Sequence, residues 1–339
     1  MTDAVRSALA PAMLAAIEDE LRACLVEISD ERHRELAEMV RHHFGWDPAG
    51  GERVGKRIRP LLTLLTASAA GGDWMQAVPA AASIELIHNF TLIHDDIEDS
   101  SETRRGRPTV WSRWGVPQAV NTGDFVYVAS HLACHRLTQR GVSVATVHAV
   151  QVALDRACLN LTLGQHLDLA FERRERVGAE DYLEMISGKT AALLAAATAI
   201  GAQVVEAAPA ATEAYHQFGW NLGMAFQLLD DLLGIWGEPD QTGKSVADDL
   251  RQGKKSYPVL LGLEASPEFA RAWSAARSAP QEIQRLQRAL EECSADRRTR
   301  DQAESYTREA MRALVEAGPR PPAAFELQDL ALRLLRRDR

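Results

Sequence analysis

Cysteine is scarce and dispersed. The four present, Cys24, Cys134, Cys158 and Cys293, show neither CxxC spacing nor the density of a disulfide scaffold, so reduced, mostly buried thiols are expected. A basic excess is missing too: 38 Lys and Arg stand against 47 Asp and Glu, for a formal net charge of −9. That leaves no positive face for a nucleic-acid partner. Long apolar runs are absent. The longest, "AALLAAATAIGA" at 191–202, is too short and too alanine-rich to span a bilayer, and no transmembrane segment is expected. In the N-terminal "MTDAVRSALAPAMLAAIEDE", Asp3 precedes the apolar stretch and Pro11 interrupts it, which makes a poor signal peptide. The expected location is the cytoplasm. Strand signals are rare as well, because alternating runs of β-branched residues bounded by turn residues hardly occur.

What the chain does have is apolar residues at three- and four-residue spacing. With 339 residues, 46% of them hydrophobic, a sizeable core is within reach. In "SIELIHNFTLIHDDIED" at 83–99, Leu86, Phe90, Ile93 and Ile97 stack on one helical face. Similar patterns run through 12–43, 57–69, 117–139, 143–171, 179–205, 210–236, 256–263 and 281–316, with Gly and Pro between them. No long linker, low-complexity tract or internal repeat divides the chain. The expectation is one all-α domain over 1–339 with a buried central bundle. The chain would close in a Pro-broken turn and a last amphipathic helix with a basic end.

Carboxylates cluster at two helix ends. In "HDDIEDS", Asp95 and Asp99 lie one turn apart, with His88 and Leu92 on the same face. Such a pair can bind hard cations, and Mg²⁺ suits carboxylates combined with substrate phosphate oxygens. A solvated acidic helix end accounts for this cluster equally well, although acid there opposes the helix dipole. A second cluster, "FQLLDDLLG" at 226–234, shifts the balance, since Gln227, Asp230 and Asp231 again fall late in an apolar helix. Two such tips facing each other would repel unless metal and a polyanionic ligand neutralised them.

Basic residues alternate with these acids. Lys56 and Arg59 share a face in "GKRIRP", Arg104 and Arg105 follow the first cluster, Lys189 sits in "ISGKTAAL", and Lys244 and Lys254 sit in "GEPDQTGKSVADDLRQGKKSYP". Singly, each reads as a surface charge. Their placement beside aspartates at the ends of apolar helices points instead to phosphate binding. The implied ligand carries diphosphate groups, two of them, and a hydrocarbon tail.

In this order and spacing, "GKRIRP", "ELIHNFTLIHDDIEDSSETRRGRPT", "NTGD", "GQHLD", "YLEMISGKTAAL" and "FQLLDDLLGIWGEPDQTGKSVADDLRQGKKSYP" resemble the trans-isoprenyl diphosphate synthases, the polyprenyl synthetase family, over about residues 50–260. The resemblance implies the isoprenoid synthase fold, a bundle of long helices around a deep cavity, usually dimeric. The implied reaction is Mg²⁺-dependent head-to-tail joining of isopentenyl diphosphate to an allylic diphosphate (dimethylallyl, geranyl or farnesyl), with release of pyrophosphate. The resemblance makes Asp95 and Asp99 ligands of two Mg²⁺ ions, with Asp96 between them in the catalytic motif. It makes Asp230 the main ligand of a third, supported by Asp231 and Asp249. Arg104, Lys189 and Lys254 correspond to allylic-diphosphate contacts, with Lys244 close by. Lys56, Arg59, His88 and Arg105 correspond to the isopentenyl-diphosphate pocket. Thr190, Gln227 and Lys189 correspond to polar groups facing the allylic cation. Gln165 and Asp168 share a helix face suited to orienting Lys189, and 237–255 resembles a lid.

Two positions depart from the family pattern. Gly234 stands where the second motif usually ends in a third Asp, and Ala247 where the lid usually has Gly. The first is expected to weaken the ordering of the metal shell rather than abolish activity. Product length is read from the helix turns before Asp95, where Ile87, Phe90 and Thr91 lie. An aromatic followed by a small residue resembles a geranylgeranyl-type pattern, while packing of Phe90 in the core with Leu86 and Ile93 fits its stripe equally. Farnesyl or longer products, a class I terpene cyclase and a catalytically silent prenyltransferase subunit are the competing readings. Adjacent His42 and His43 point to different faces and make poor co-ligands.

Overall fold

The computed structural model describes residues 9–25, 31–46, 55–237, 247–273 and 280–336. In chain order the helices are α1 (Leu9–Cys24), α2 (Arg34–Phe44), α3 (Ile58–Ala69), α4 (Val78–Glu98), α5 (Val110–Trp114), α6 (Val116–His135), α7 (Val144–Arg173), α8 (Ala179–Ile186), α9 (Ala192–Val204), α10 (Pro209–Trp236), α11 (Asp248–Gln252), α12 (Tyr257–Ala265), α13 (Pro267–Trp273), α14 (Pro280–Glu292), α15 (Ala295–Glu316) and α16 (Ala323–Arg336). Among the described residues the only strands are β1 (Thr103–Arg104) and β2 (Arg107–Pro108), so the all-α expectation holds.

Contacts divide the chain into two compact units. One comprises Met1–Asp155, Ala197–Glu213 and Gly318–Leu327, the other Arg156–Ala196, Ala214–Ala317 and Gln328–Arg339. In the first, α4 is the central element. Every residue from Val78 to Ile87 is buried, the signature of a helix covered on all sides rather than along one stripe. α6 lies along it, and α1 and α3 pack on it as well. In the second unit the core gathers Phe171, Tyr182, Met224, Leu228, Leu260 and Phe269, with α12 packed on α13 and α15.

Two helices expected to be continuous are interrupted. The 12–43 pattern divides into α1 and α2, and the 281–316 pattern breaks at Ser294, whose left-handed φ of 58° ends one helix before α15 begins. Periodicity continues through both breaks, which is why spacing alone did not reveal them. The run Ala179–Val204 is long and apolar enough to cross a membrane, yet 72% of its most apolar window is buried, as in a core helix. All four cysteines are free thiols.

Candidate active site

In the first unit, the acid-rich end of α4 separates its aspartates by face. Asp95 is half-buried and Asp99, the C-cap, is exposed one turn later, its N–H donating to the Asp95 carbonyl at 2.8 Å. Asp96 turns inward. It is 2% exposed and accepts from Arg104 Nε at 2.8 Å. Burial pushes its carboxyl up to about 6 against the opposing pull of Arg104. Arg104 and Arg105 belong to the β1–β2 hairpin, whose two connecting residues, Arg105 (φ 53°) and Gly106 (φ 72°), both take the positive φ of a type I′ turn.

That turn delivers Arg105 to a cavity of about 260 Å³ lined also by Lys56, Arg59 and His88. Four residues expected to share a diphosphate pocket therefore do meet. Arg59, in the first turn of α3, donates from Nη1 to His88 Nε2 at 3.2 Å. Burial first, then Arg59, Arg105, Arg104 and His43, hold His88 well below the usual imidazole range, so it is neutral and can accept. The pocket thus presents guanidinium and ammonium donors at a helix N-terminus, a setting suited to phosphate.

In the second unit, Lys189 and Thr190 lie in a π-helical turn, Ser187–Ala191, between α8 and α9. Single π turns inside helices concentrate at functional sites. This turn presses directly on α7: a Cβ at Gly164 would collide with the backbone of Lys189, so only glycine fits in "GQHLD". Lys189 Nζ pairs with Asp168 Oδ2 at 2.5 Å, and Thr190 Oγ1 donates to Gln227 Oε1 at 2.9 Å. Of Gln165 and Asp168, the pair expected beside Lys189, Asp168 is in contact with it.

Asp231 departs from its expected place as a metal ligand. It is 1% exposed. Its Oδ2 accepts from the Tyr182 hydroxyl at 2.7 Å and the Tyr257 N–H at 3.2 Å, and its Oδ1 accepts from Gln227 at 3.2 Å. Burial pushes its carboxyl up to about 7, opposed by Lys254. Desolvation works against the charge of Lys254, yet Asp231, Asp249, Asp168 and Asp230 outweigh it and hold the ammonium above the ordinary lysine range. Asp230 is half-buried. Tyr182 was not anticipated, although it stands one α-helical face-repeat, seven residues, before Lys189 in "YLEMISGKT".

The donors fit a hard divalent cation in a limited sense. Among the described residues no three His, Cys, Asp or Glu side chains converge on one point, so a metal at Asp95 and Asp99, or at Asp230, would complete its shell with water and phosphate oxygens, as Mg²⁺ prefers. Lys244 lies outside the described residues, as does the 238–246 part of the expected lid.

The polyprenyl synthetase family model matches residues 50–293. The chain belongs to this family. A geranylgeranyl diphosphate synthase of Mycobacterium tuberculosis is 43% identical over 250 residues, 72% of this chain and 70% of that protein. A (2E,6E)-farnesyl diphosphate synthase of Mycobacterium bovis is 38% identical over 323 residues, 91% of this chain and 88% of that protein. Among solved structures, a geranylgeranyl pyrophosphate synthase from Corynebacterium glutamicum, complexed with isoprenyl diphosphate and magnesium, superposes with a TM-score of 0.83 at 28% identity, covering 97% of this chain and 98% of that one. This polyprenyl synthetase is accordingly a prenyltransferase with the isoprenoid synthase fold.

Proposed function

We propose that the chain condenses isopentenyl diphosphate with an allylic diphosphate, head to tail and in trans, with geranylgeranyl diphosphate as product and pyrophosphate as leaving group. The observation that carries this reading is the meeting of Lys56, Arg59, His88 and Arg105 around one cavity. A cyclase acting on a single diphosphate has no use for that pocket.

Asp95 and Asp99 would hold metal at the first cluster and Asp230 at the second, three Mg²⁺ ions in all. Metal held there would supply stabilisation of the negative charge that develops on the departing diphosphate. Lys189, Lys254, Arg104 and, from outside the described residues, Lys244 contribute cationic contacts to that diphosphate. Thr190 and Gln227, fixed to each other, present oxygen lone pairs to the allylic cation. Asp96 and Asp231 act through others: Asp96 anchors Arg104, and Asp231 anchors Gln227. Phe90, Thr91 and Ile87 line the end of the tail's path. Deprotonation after C–C bond formation falls to the leaving pyrophosphate.

The protein acts in the cytoplasm, where its four free thiols stay reduced. It works as a homodimer, and the exposed Val120, Val128 and Leu132 on one side of α6 (41%, 56% and 49% exposed) supply an apolar stripe for the partner. Light scattering after size exclusion tests the assembly.

The test of function is incubation with dimethylallyl, geranyl or farnesyl diphosphate and Mg²⁺, with and without isopentenyl diphosphate, followed by product-length analysis. Condensation only in the presence of isopentenyl diphosphate, ending at twenty carbons, is expected. Hydrocarbon released from geranylgeranyl diphosphate alone would identify a cyclase, and failure to consume any primer would identify a silent subunit.

A further inference from the structure

The segment "GKRIRP" carries a second arginine, Arg57, which the family correspondence leaves without a role. It is 3% exposed and borders the same cavity as its neighbours Lys56 and Arg59. Its Nε donates to Glu18 Oε1 at 2.5 Å and its Nη1 to Glu85 Oε1 at 2.8 Å. Glu18 lies on α1, well before the matched segment 50–293. Its other oxygen accepts from Trp46 Nε1 at 2.9 Å, and the Arg57 guanidinium stands over the Phe44 ring at 5.5 Å. Glu85, 3% exposed, also accepts from Asn89 at 3.0 Å.

Two features make this more than a buried ion pair. First, Arg57 is the N-cap of α3 and adopts a left-handed backbone, φ 49° and ψ 38°. A non-glycine residue there is strained, and such strain persists only where the surroundings over-determine it. Three side-chain contacts supply that constraint, and they fix the backbone between Lys56 and Arg59. Second, Glu85 borders the same cavity as Lys56, Arg59 and Arg105. Left bare, its carboxylate would repel an incoming diphosphate; Arg57 pairs with it, and Glu18, the second carboxylate on the same guanidinium, fixes where Arg57 lies. The network holds the shape of the pocket.

We propose that Glu18 and Arg57 are positioning residues for the isopentenyl-diphosphate pocket, so that a helix outside the matched segment sets affinity for the second substrate. This rests on the proposed condensation.

The test is Glu18→Gln, which keeps volume and removes charge, measured by steady-state kinetics and by calorimetric binding of isopentenyl diphosphate without an allylic partner. KM and Kd for isopentenyl diphosphate are expected to rise about tenfold, the loss of about 1.4 kcal/mol. Values of kcat and of KM for farnesyl diphosphate should stay within about twofold, well under that 1.4 kcal/mol. Glu18→Asp should recover part of the loss. Trp46→Phe, which removes the indole N–H that donates to Glu18 and keeps an aromatic ring, should move the same constants in the same direction by less, and it serves if Glu18→Gln folds poorly. An unchanged Kd, or a fall in melting temperature with every kinetic constant shifting together, would overturn the inference. If the wild-type chain itself fails to use isopentenyl diphosphate, the proposed function falls instead.

Discussion

The carboxylate of Asp249 occupies the space into which a side chain at Gly234 would project. Asp249 is 5% exposed on the short helix α11, and the residue two places before it, Ala247, takes a left-handed φ of 55° where the family pattern has glycine. The two departures from the family pattern thus flank one residue. Gly234 is the bare backbone against which Asp249 packs.

Restoring the family aspartate should therefore harm this protein. Gly234→Ala is expected to lower stability by about 1–3 kcal/mol through overpacking, and Gly234→Asp by more, since it adds a like charge. Thermal unfolding measures both. The double variant Gly234→Asp, Asp249→Gly should recover much of the loss, because neighbouring substitutions of this kind are not additive.

Asp168→Asn leaves Lys189 without its ion-pair partner at 2.5 Å. The ammonium then samples several rotamers, and kcat/KM for the allylic diphosphate should fall on the order of tenfold through lost orientation. Affinity for isopentenyl diphosphate should stay the same. A comparison of KM values for the two substrates checks the split.

His43 adds to acid sensitivity. Burial first, then Arg104 and Arg105, with Arg57 adding and Asn89 opposing, bring its imidazole down from 6.5 to about 3. The unfolded chain takes up a proton below pH 6.5 that the folded chain refuses, so the stability linked to His43 is present above pH 6.5 and lost as pH falls towards 3. One group contributes at most about 1.4 kcal/mol per pH unit. Denaturant unfolding from pH 7 to pH 4 should show a shallower decline in His43→Gln than in the wild type.

Phe90 lies with its ring 4.9 Å from Tyr127 and 5.5 Å from His94, half-buried between α4 and α6. Thr91 and Ile87 are buried beside it. If Phe90 borders the tail's path as proposed, Phe90→Ala opens volume there, and products longer than those of the wild type are expected with farnesyl diphosphate as primer. An unchanged product distribution would place the floor of the pocket elsewhere.

The helical class was legible because apolar spacing survives in the sequence whatever the helices pack against. The breaks near Cys24 and at Ser294 were not, because apolar residues keep nearly the same spacing on both sides of each. The π turn at Lys189 escaped for a similar reason: one extra residue per turn in a five-residue stretch is invisible among alanines. The pocket set Lys56, Arg59, His88 and Arg105 was legible only through the family resemblance, since those residues come from three separate segments. Glu18 and Glu85 gave no signal at all; their partner, Arg57, looks like one more surface charge until its burial is seen.

The sequence by itself determined the chemistry on offer: which carboxylates, cations and small residues fall at helix ends, and at what spacing. Tertiary structure decided which of two adjacent aspartates works inside. Neighbours on a helix point about 100° apart, so Asp95 and Asp96, or Asp230 and Asp231, must face different surroundings. Only packing chooses the buried one, through Arg104 beside Asp96 and through Tyr182 and Gln227 beside Asp231.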